Sequence, residues 1–347
     1  MEKIKLQLSA QKSDETLYTN WQISKISNDF SEFYYKSVLL HDISTNIDRG
    51  VLKNNVIIFN SSININNQYS KYSTPELDLS NPADILKYYH LGSPISLHPN
   101  RQILILHELF EAYRVYFSLI NKYKLNLGSK KDDLSILYGI SLEYLDKRLD
   151  LQLVTFFESR VIENNEFLSE RKDECIKEIR THFKNHEDKF KKIIEDLDER
   201  KPSKQFNYVF NRFERPIVGI KLTNDKFKLL GSDFFVQSKF TYSNSRFLET
   251  NSIKQNSPLE IILTMSPIII PNLLLILREK KSLLMQQSTN NNLDQEIANL
   301  DQEINHIYSL AQSEGITLSN TTQLSELQYT VIKKGKSVLD ELETKVI

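Results

Sequence analysis

The stretch LDQEIANLDQEINHIYSLA, residues 293–311, carries apolar side chains at Leu293, Ile297, Leu300, Ile304, Ile307 and Ala311, stepping by 4, 3, 4, 3 and 4. That spacing lines one face of an α-helix and leaves the remaining faces charged or polar. The heptads LDQEIAN and LDQEINH are near copies, and Gly315 closes the run. A second run places Leu324, Val331 and Val338 at intervals of seven, with Leu327 and Leu342 on the same side. Two seamed helices joined by a short break predict a C-terminal helical hairpin, a short antiparallel coiled coil. Each seam is brief, and isolated helices of that length are marginal in water because the first turn is costly to nucleate. The hairpin is therefore expected to dock on the rest of the protein or on another copy.

Immediately upstream, Ser257-Pro258-Leu259-Glu260 has the S-x-x-E capping pattern with proline at the first helical position, which predicts a helix start. The segment that follows, IILTMSPIIIPNLLLIL (261–277), holds 12 strongly apolar residues of 17 and runs straight into Arg278, Lys280 and Lys281. A buried core helix is the expected reading. The alternative is a membrane-associated segment presenting Ile261, Ile269, Leu273 and Leu277. Against spanning, 17 helical residues reach only about 25 Å of a hydrocarbon core about 30 Å thick. Ser266, Pro267, Pro271 and Asn272 also interrupt the run, and Pro271 is expected to kink the helix in mid-course.

Further upstream the period changes twice. Phe206, Tyr208 and Phe210 alternate, residues 217–222 and 226–230 read as a hairpin across Thr223-Asn224-Asp225, and 234–242 and 246–254 add two strand candidates. Before them, residues 170–201 are dense in charge, with a 3–4 seam through Ile176, Ile179, Phe183, His186, Phe190, Ile193 and Leu197. Helices are also expected from Asn81-Pro82 to Gly92, from Pro99 to about Gly128, and from Leu134 through Val161. At the N-terminus Ile4, Leu6 and Leu8 alternate as a strand, a helix begins near Asp29 with Phe30, Phe33, Tyr34 and Val38 on one face, and Val56–Phe59 is a second strand. The fold class is accordingly α+β and predominantly α-helical. Four parts are expected: a small mixed unit over 1–75, a helical bundle over 80–201, a small antiparallel sheet over 205–256, and the apolar helix plus hairpin over 257–347.

Composition narrows function more than it identifies it. The 347 residues carry 44 Lys and Arg against 45 Asp and Glu, a net charge of −1, which removes the basic footprint of a nucleic-acid binder. The eight glycines are scattered with no two within ten residues. Neither a dinucleotide fingerprint nor a Walker A loop can be drawn, because both need clustered glycines to let backbone N–H groups approach a phosphate. The single cysteine, Cys175, forms no internal disulfide, and residues 1–10 lack the apolar core of about 7–15 residues of a secretory signal. A cytoplasmic protein, membrane-associated in the alternative reading, is expected.

Each chemical motif has a structural explanation that competes with it. His182 and His186 stand one turn apart behind Glu178, a metal-compatible spacing, yet His186 occupies the seam, where a polar residue sets register. His107-Glu108-Leu109-Phe110-Glu111 has Glu111 where a zinc-protease helix needs its second histidine, so a local His107–Glu111 contact is expected instead. Cys175 has Asp173 and Glu174 beside Arg171 and Lys172, which favours an inert thiol. Residues 201–215 interleave aromatics with Lys201, Lys204, Arg212 and Arg215, a single-strand-binding pattern that a core strand also produces. A site dispersed in sequence would draw on His90, His98, His107, Glu108 and Asp84. No cofactor is implied. The leading expectation is a non-enzymatic interaction or assembly protein whose helix seams serve self-association, with a homo-oligomer or another protein as partner. The alternatives are a membrane-acting protein that exposes 261–277 on a trigger, and an enzyme with a dispersed site.

Overall fold

The computed structural model describes residues 3–10, 17–63, 76–124, 130–143, 149–164, 168–195, 198, 201–222, 225–231, 248–255, 258–287, 291–316, 324–339 and 342–346. In chain order the elements are β1 (Ile4–Ala10), α1 (Asn20–Asp48), β2 (Val56–Ser62), β3 (Glu76–Asp78), α2 (Pro82–Leu91), β4 (Pro94–Ser96), α3 (Arg101–Tyr123), α4 (Lys130–Glu143), α5 (Leu149–Ile162) and α6 (Ser169–Glu195). There follow α7 (Lys204–Arg212), β5 (Pro216–Lys221), β6 (Lys226–Leu229), β7 (Glu249–Gln255), β8 (Leu259–Met265), α8 (Ile270–Gln287), α9 (Asn291–Ser313), α10 (Ser325–Leu339) and β9 (Glu343–Val346). The fold is α+β and predominantly helical, with two small antiparallel sheets. It divides into a terminal unit, Met1–Arg49 with Gly231–Ile347, and an inserted unit, Gly50–Leu230.

The terminal unit has the strand order β7-β8-β1-β9. Along β1 the buried residues Ile4, Leu6, Leu8 and Ala10 alternate with Lys5, Gln7 and Ser9, and they sit opposite Met265, Leu263, Ile261 and Leu259 of β8. Apolar side chains of neighbouring strands thus share one face. Helix α10 packs on α1 and α8, and α9 packs on α8, so the antiparallel coiled-coil hairpin expected between the two C-terminal seams is not the packing observed: other helices cover each seam. The α10 contact is close because residue 335 is glycine: a Cβ there would lie 2.5 Å from both Ile276 Cδ1 and Phe33 Cε2. Polar groups at the same junction are paired. The Tyr34 hydroxyl accepts the Ser266 N–H at 3.0 Å, Lys334 bridges Asp29 and Glu32 at 2.9 Å each, and Glu32 also takes the buried Lys36 at 2.6 Å.

The helix expected to start at Ser257 is a strand over its first half. Ile261, Ile262 and Thr264 are β-branched, and β1 and β7 supply ladders on both sides, so sheet pairing overrides the capping pattern. Both prolines then fall at helix starts. Pro267 opens a 3₁₀ turn capped by the Ser266 hydroxyl, and Pro271 is the second residue of α8, where no backbone donor is needed. The mid-helix kink expected at Pro271 does not arise.

The inserted unit has the strand order β3-β6-β5-β2-β4. The hairpin expected across 223–225 is β5 with β6. Its core is aromatic: Phe59, Tyr88 and Phe227 meet edge to face at 4.9–5.6 Å. Gly219 makes room for this, since a Cβ there would lie 2.1 Å from the Phe227 ring. Among the helices, Tyr116 of α3 stacks on Phe157 of α5 at 4.2 Å.

Several boundaries move. Residues 204–212 form α7 rather than a strand: Phe206, Val209 and Phe210 are buried at helical spacing and Tyr208 is 60% exposed. Residues four apart also satisfy alternation, and the Ser203 side chain capping the Phe206 N–H decides for helix. The helix expected over Leu134–Val161 is two, α4 and α5, and α1 begins at Asn20, where Thr19 and Gln22 form a reciprocal capping box. Residues 1–75, expected as one part, are shared out: β1 pairs with β8 and β9, while β2 pairs with β5 and β4. The strand expected at 234–242 lies outside the described residues.

Candidate functional site

A cleft of about 180 Å³ opens in the inserted unit between β4, the first two turns of α3 and the start of α7. Pro94, Ile95, Pro99, Ile103 and Leu104 give it an apolar lining, and Ser96, Asn100, His107, Ser203 and Gln205 give it polar groups. Local sequence chemistry builds each wall. Pro99 keeps the chain extended ahead of Asn100, whose Oδ1 caps α3 by accepting the N–H groups of Gln102 and Ile103 at 2.9 and 3.3 Å. The Ser203 N–H donates to Leu97 O at 2.8 Å, which brings the start of α7 alongside. His107 lies two turns into α3, with Nδ1 3.1 Å from Pro94 O. A carbonyl only accepts, so Nδ1 carries the proton and Nε2 holds the lone pair in the neutral ring.

Of the dispersed residues considered from sequence, His107 alone lines this cleft. Asp84 is occupied by the Asp78 N–H and by Lys87 at 2.8 Å. The local His107–Glu111 contact does not form. Glu111 turns instead to the buried Ser93 hydroxyl and to Arg114 at 2.6 Å, while His107 is taken by the neighbouring Pro94 O. Arg114 and Lys130 both lie over the Tyr89 ring, at 5.0 and 4.8 Å, and Lys130 also lies 4.6 Å over Phe117. Burial, with the Arg114 charge adding to it, holds the Lys130 ammonium below the usual lysine range.

The helical bundle behind the cleft is chemically quiet. Cys175 is fully buried, and burial together with Glu178 pushes its thiol up to about 11, so it stays protonated near neutrality. Glu178 is held by Lys122 at 2.5 Å and by the Tyr123 hydroxyl at 2.9 Å rather than orienting His182. The side chain of His186 lies outside the described residues. Among the described residues no group of three or more His, Cys, Asp or Glu is placed to hold a metal ion. Asp133 is buried, pairs with Arg160 at 3.1 Å, and has its carboxyl raised by that burial against the opposing Arg160 charge.

In the terminal unit the seam residues face inward. Leu300, Ile304, Ile307 and Ala311 of α9 are buried, as are Val331 and Val338 of α10 and the flanking Leu324 and Leu342; Leu293 and Ile297 are half-buried. Ile261, Ile269, Leu273 and Leu277 are each at most 2% exposed, divided between β8, the 3₁₀ turn and α8. Presenting them together to a lipid surface requires β8 to leave β1. No helix among the described residues is long and apolar enough to cross a membrane.

Pro94, Asn100 and Ser203 are among the cleft residues that sequence reading did not single out. Two of them carry a legible signal, a capping side chain next to a proline (Pro99-Asn100 and Pro202-Ser203), which marks helix starts but not their convergence. Comparison with protein-family models, with curated proteins and with solved structures finds no match to this chain.

Proposed function

We propose that this chain is a non-enzymatic assembly protein that pairs with a second copy of itself through the edge of β7 that is open among the described residues. The seams of α9 and α10 are then the scaffold of the terminal unit, and the edge strand is its contact surface. One observation carries the reading: β7 is an outer strand that is charge-complementary to itself. Its residues are exposed apart from a half-buried Ser252, with Glu249, paired to Lys3 at 2.5 Å, at one end and Lys254, paired to Glu260 at 3.3 Å, at the other, exposed pairs that a second copy would have to exchange. The bulge between Thr250 and Ser252 shifts the alternation, so that Glu249, opposite Thr264, and Lys254, opposite Glu260, project from the same face. In an antiparallel pairing that sets Glu249 against Lys254 of the other copy, Thr250 faces Ile253, and both of these pairs join residues of one face. The same charges disfavour strands that do not carry the complementary pair. Ile253 is 46% exposed, and the Gln255 side chain donates to Tyr18 O, which keeps the exposed Leu17 and Trp21 beside the end of the strand.

Light scattering on the intact chain tests this. The expected result is twice the chain mass, reverting to the single mass in Ile253→Lys. Lys254→Glu is expected to weaken the dimer, and combining it with Glu249→Lys to restore it. A wild-type chain that stays monomeric at its highest soluble concentration, or an Ile253→Lys dimer of undiminished affinity, overturns the proposal. Truncating the chain before α9 is not an equivalent test, because it uncovers α8 and also removes β9, one of the two strands that pair with β1.

A further inference from the structure

We infer that the cleft beside His107 is a binding site for a small neutral molecule with an apolar body and one hydroxyl group, of about the size of a phenol. Size comes first. An enclosed apolar space of about 150 Å³ is enough to take up benzene, and this cleft measures about 180 Å³. Charge comes next. None of its ten lining residues is an acid, lysine or arginine, so a charged ligand would lose hydration and meet no permanent ion partner.

Hydrogen bonding then selects the functional group. Pro94 O fixes the His107 proton on Nδ1, and among the described residues the ring has no second partner, so Nε2 is left as an acceptor. The Ser203 hydroxyl oxygen accepts the Phe206 N–H, and its own proton remains to be donated. Asn100 uses its side-chain oxygen twice in capping α3, so its amide protons also remain. A ligand hydroxyl can donate to Nε2 and accept from Ser203 or Asn100. A plain hydrocarbon leaves all three unmatched, and a carboxylate repels the Nε2 lone pair. Ile103 and Leu104 with the two prolines supply the apolar contact.

The test titrates phenol, toluene and benzoate into the full chain and follows backbone amide shifts by NMR. Phenol is expected to shift amides of residues 95–107 and 203–206 and to bind most tightly, with toluene weaker by about tenfold, the equivalent of one hydrogen bond. Benzoate is expected not to saturate. In His107→Phe the phenol affinity should fall towards that of toluene, the bond from Ser203 or Asn100 remaining, and Ile103→Trp, which fills the cleft, should abolish both. Should His107→Phe fail to fold, the wild-type ranking decides by itself. Equal binding of phenol and toluene, benzoate binding as tightly as phenol, or shifts confined to other residues would each overturn the inference.

Discussion

The terminal and inserted units are built from the chain in opposite ways. In the terminal unit Leu6 pairs with both Leu263 and Val346, so the sheet closes only when the two ends of the chain meet. In the inserted unit Val56 pairs with Ile220, and every strand comes from one continuous segment. Their cores differ less. Both bury Ile, Leu and Val, and the rings meet edge to face in each: Phe30 with Phe33 in the first, and a larger cluster around Phe59, Tyr88 and Phe227 in the second. The contrast teaches an order of assembly. Local contacts form faster than distant ones, and chains fold as they are made. The inserted unit holds all its strands by residue 229, whereas β1 waits for β8 and β9.

The largest effect expected of the variants below lies in the inserted unit. Phe210→Ala should cost about 4 kcal/mol in urea unfolding, because a ring at zero exposure is removed. Tyr208→Ala should stay within about 0.5 kcal/mol, as its ring is exposed. A strand would put both rings on one face and make both substitutions costly, so equal losses would refute α7. In the terminal unit, Ile307→Ala should cost about 3 kcal/mol while leaving the mass by light scattering unchanged, since its seam is filled by the chain's own helices. A changed mass with unchanged stability would return the seam to an intermolecular role.

Glycines sharpen the comparison at smaller scale. An added Cβ at Gly219 would lie 2.6 Å from the backbone oxygen of Lys228, which cannot retract, so Gly219→Ala should cost about 2 kcal/mol. At Gly335 the obstacles are the tips of Ile276 and Phe33, and alanine's helix propensity offsets up to about 1 kcal/mol of the strain. Cys175, the sole cysteine, reports on the inserted unit alone. Its alkylation should accelerate in Gly219→Ala and hold steady in Gly335→Ala. Acceleration in both would mean that the two units open as one.

Legibility follows the same division. The seams at 293–311 and 324–342, the alternation of β1 and the capped start of α2 were readable because each repeats or begins within one element, and local periodicity is what a sequence displays. The region 257–265 misled because its capping pattern is local while its strand depends on β1, more than two hundred residues away. Phe206 and Phe210 misled because four positions fit both periods. The cleft was mostly illegible: His107 stood out as a residue type, but Pro94 O, Asn100 and Ser203 acquire meaning only once β4, α3 and α7 converge.

The smallest effect expected is one of pH, and it belongs to the terminal unit. Glu303 on α9 has an oxygen that is buried without a hydrogen-bond partner among the described residues. Burial raises its carboxyl from 4.5 to about 7, against the Thr344 hydrogen bond and the charges of Lys280 and Lys345. The folded value lies above the unfolded one, so the native state holds the proton more tightly. The associated stability is present below the unfolded value and is lost as pH rises through about 7. Glu303→Gln keeps the site neutral throughout. After discounting for the part of the group that solvent screens, it should stabilise the protein by on the order of 1 kcal/mol at about pH 8 and by almost nothing at about pH 4. Melting curves at the two pH values check this. A variant that is less stable at the higher pH would mean that the Glu303 carboxylate is wanted as the ion partner of Lys280 and Lys345, and that the contact of α9 with β9 is held by charge rather than by burial.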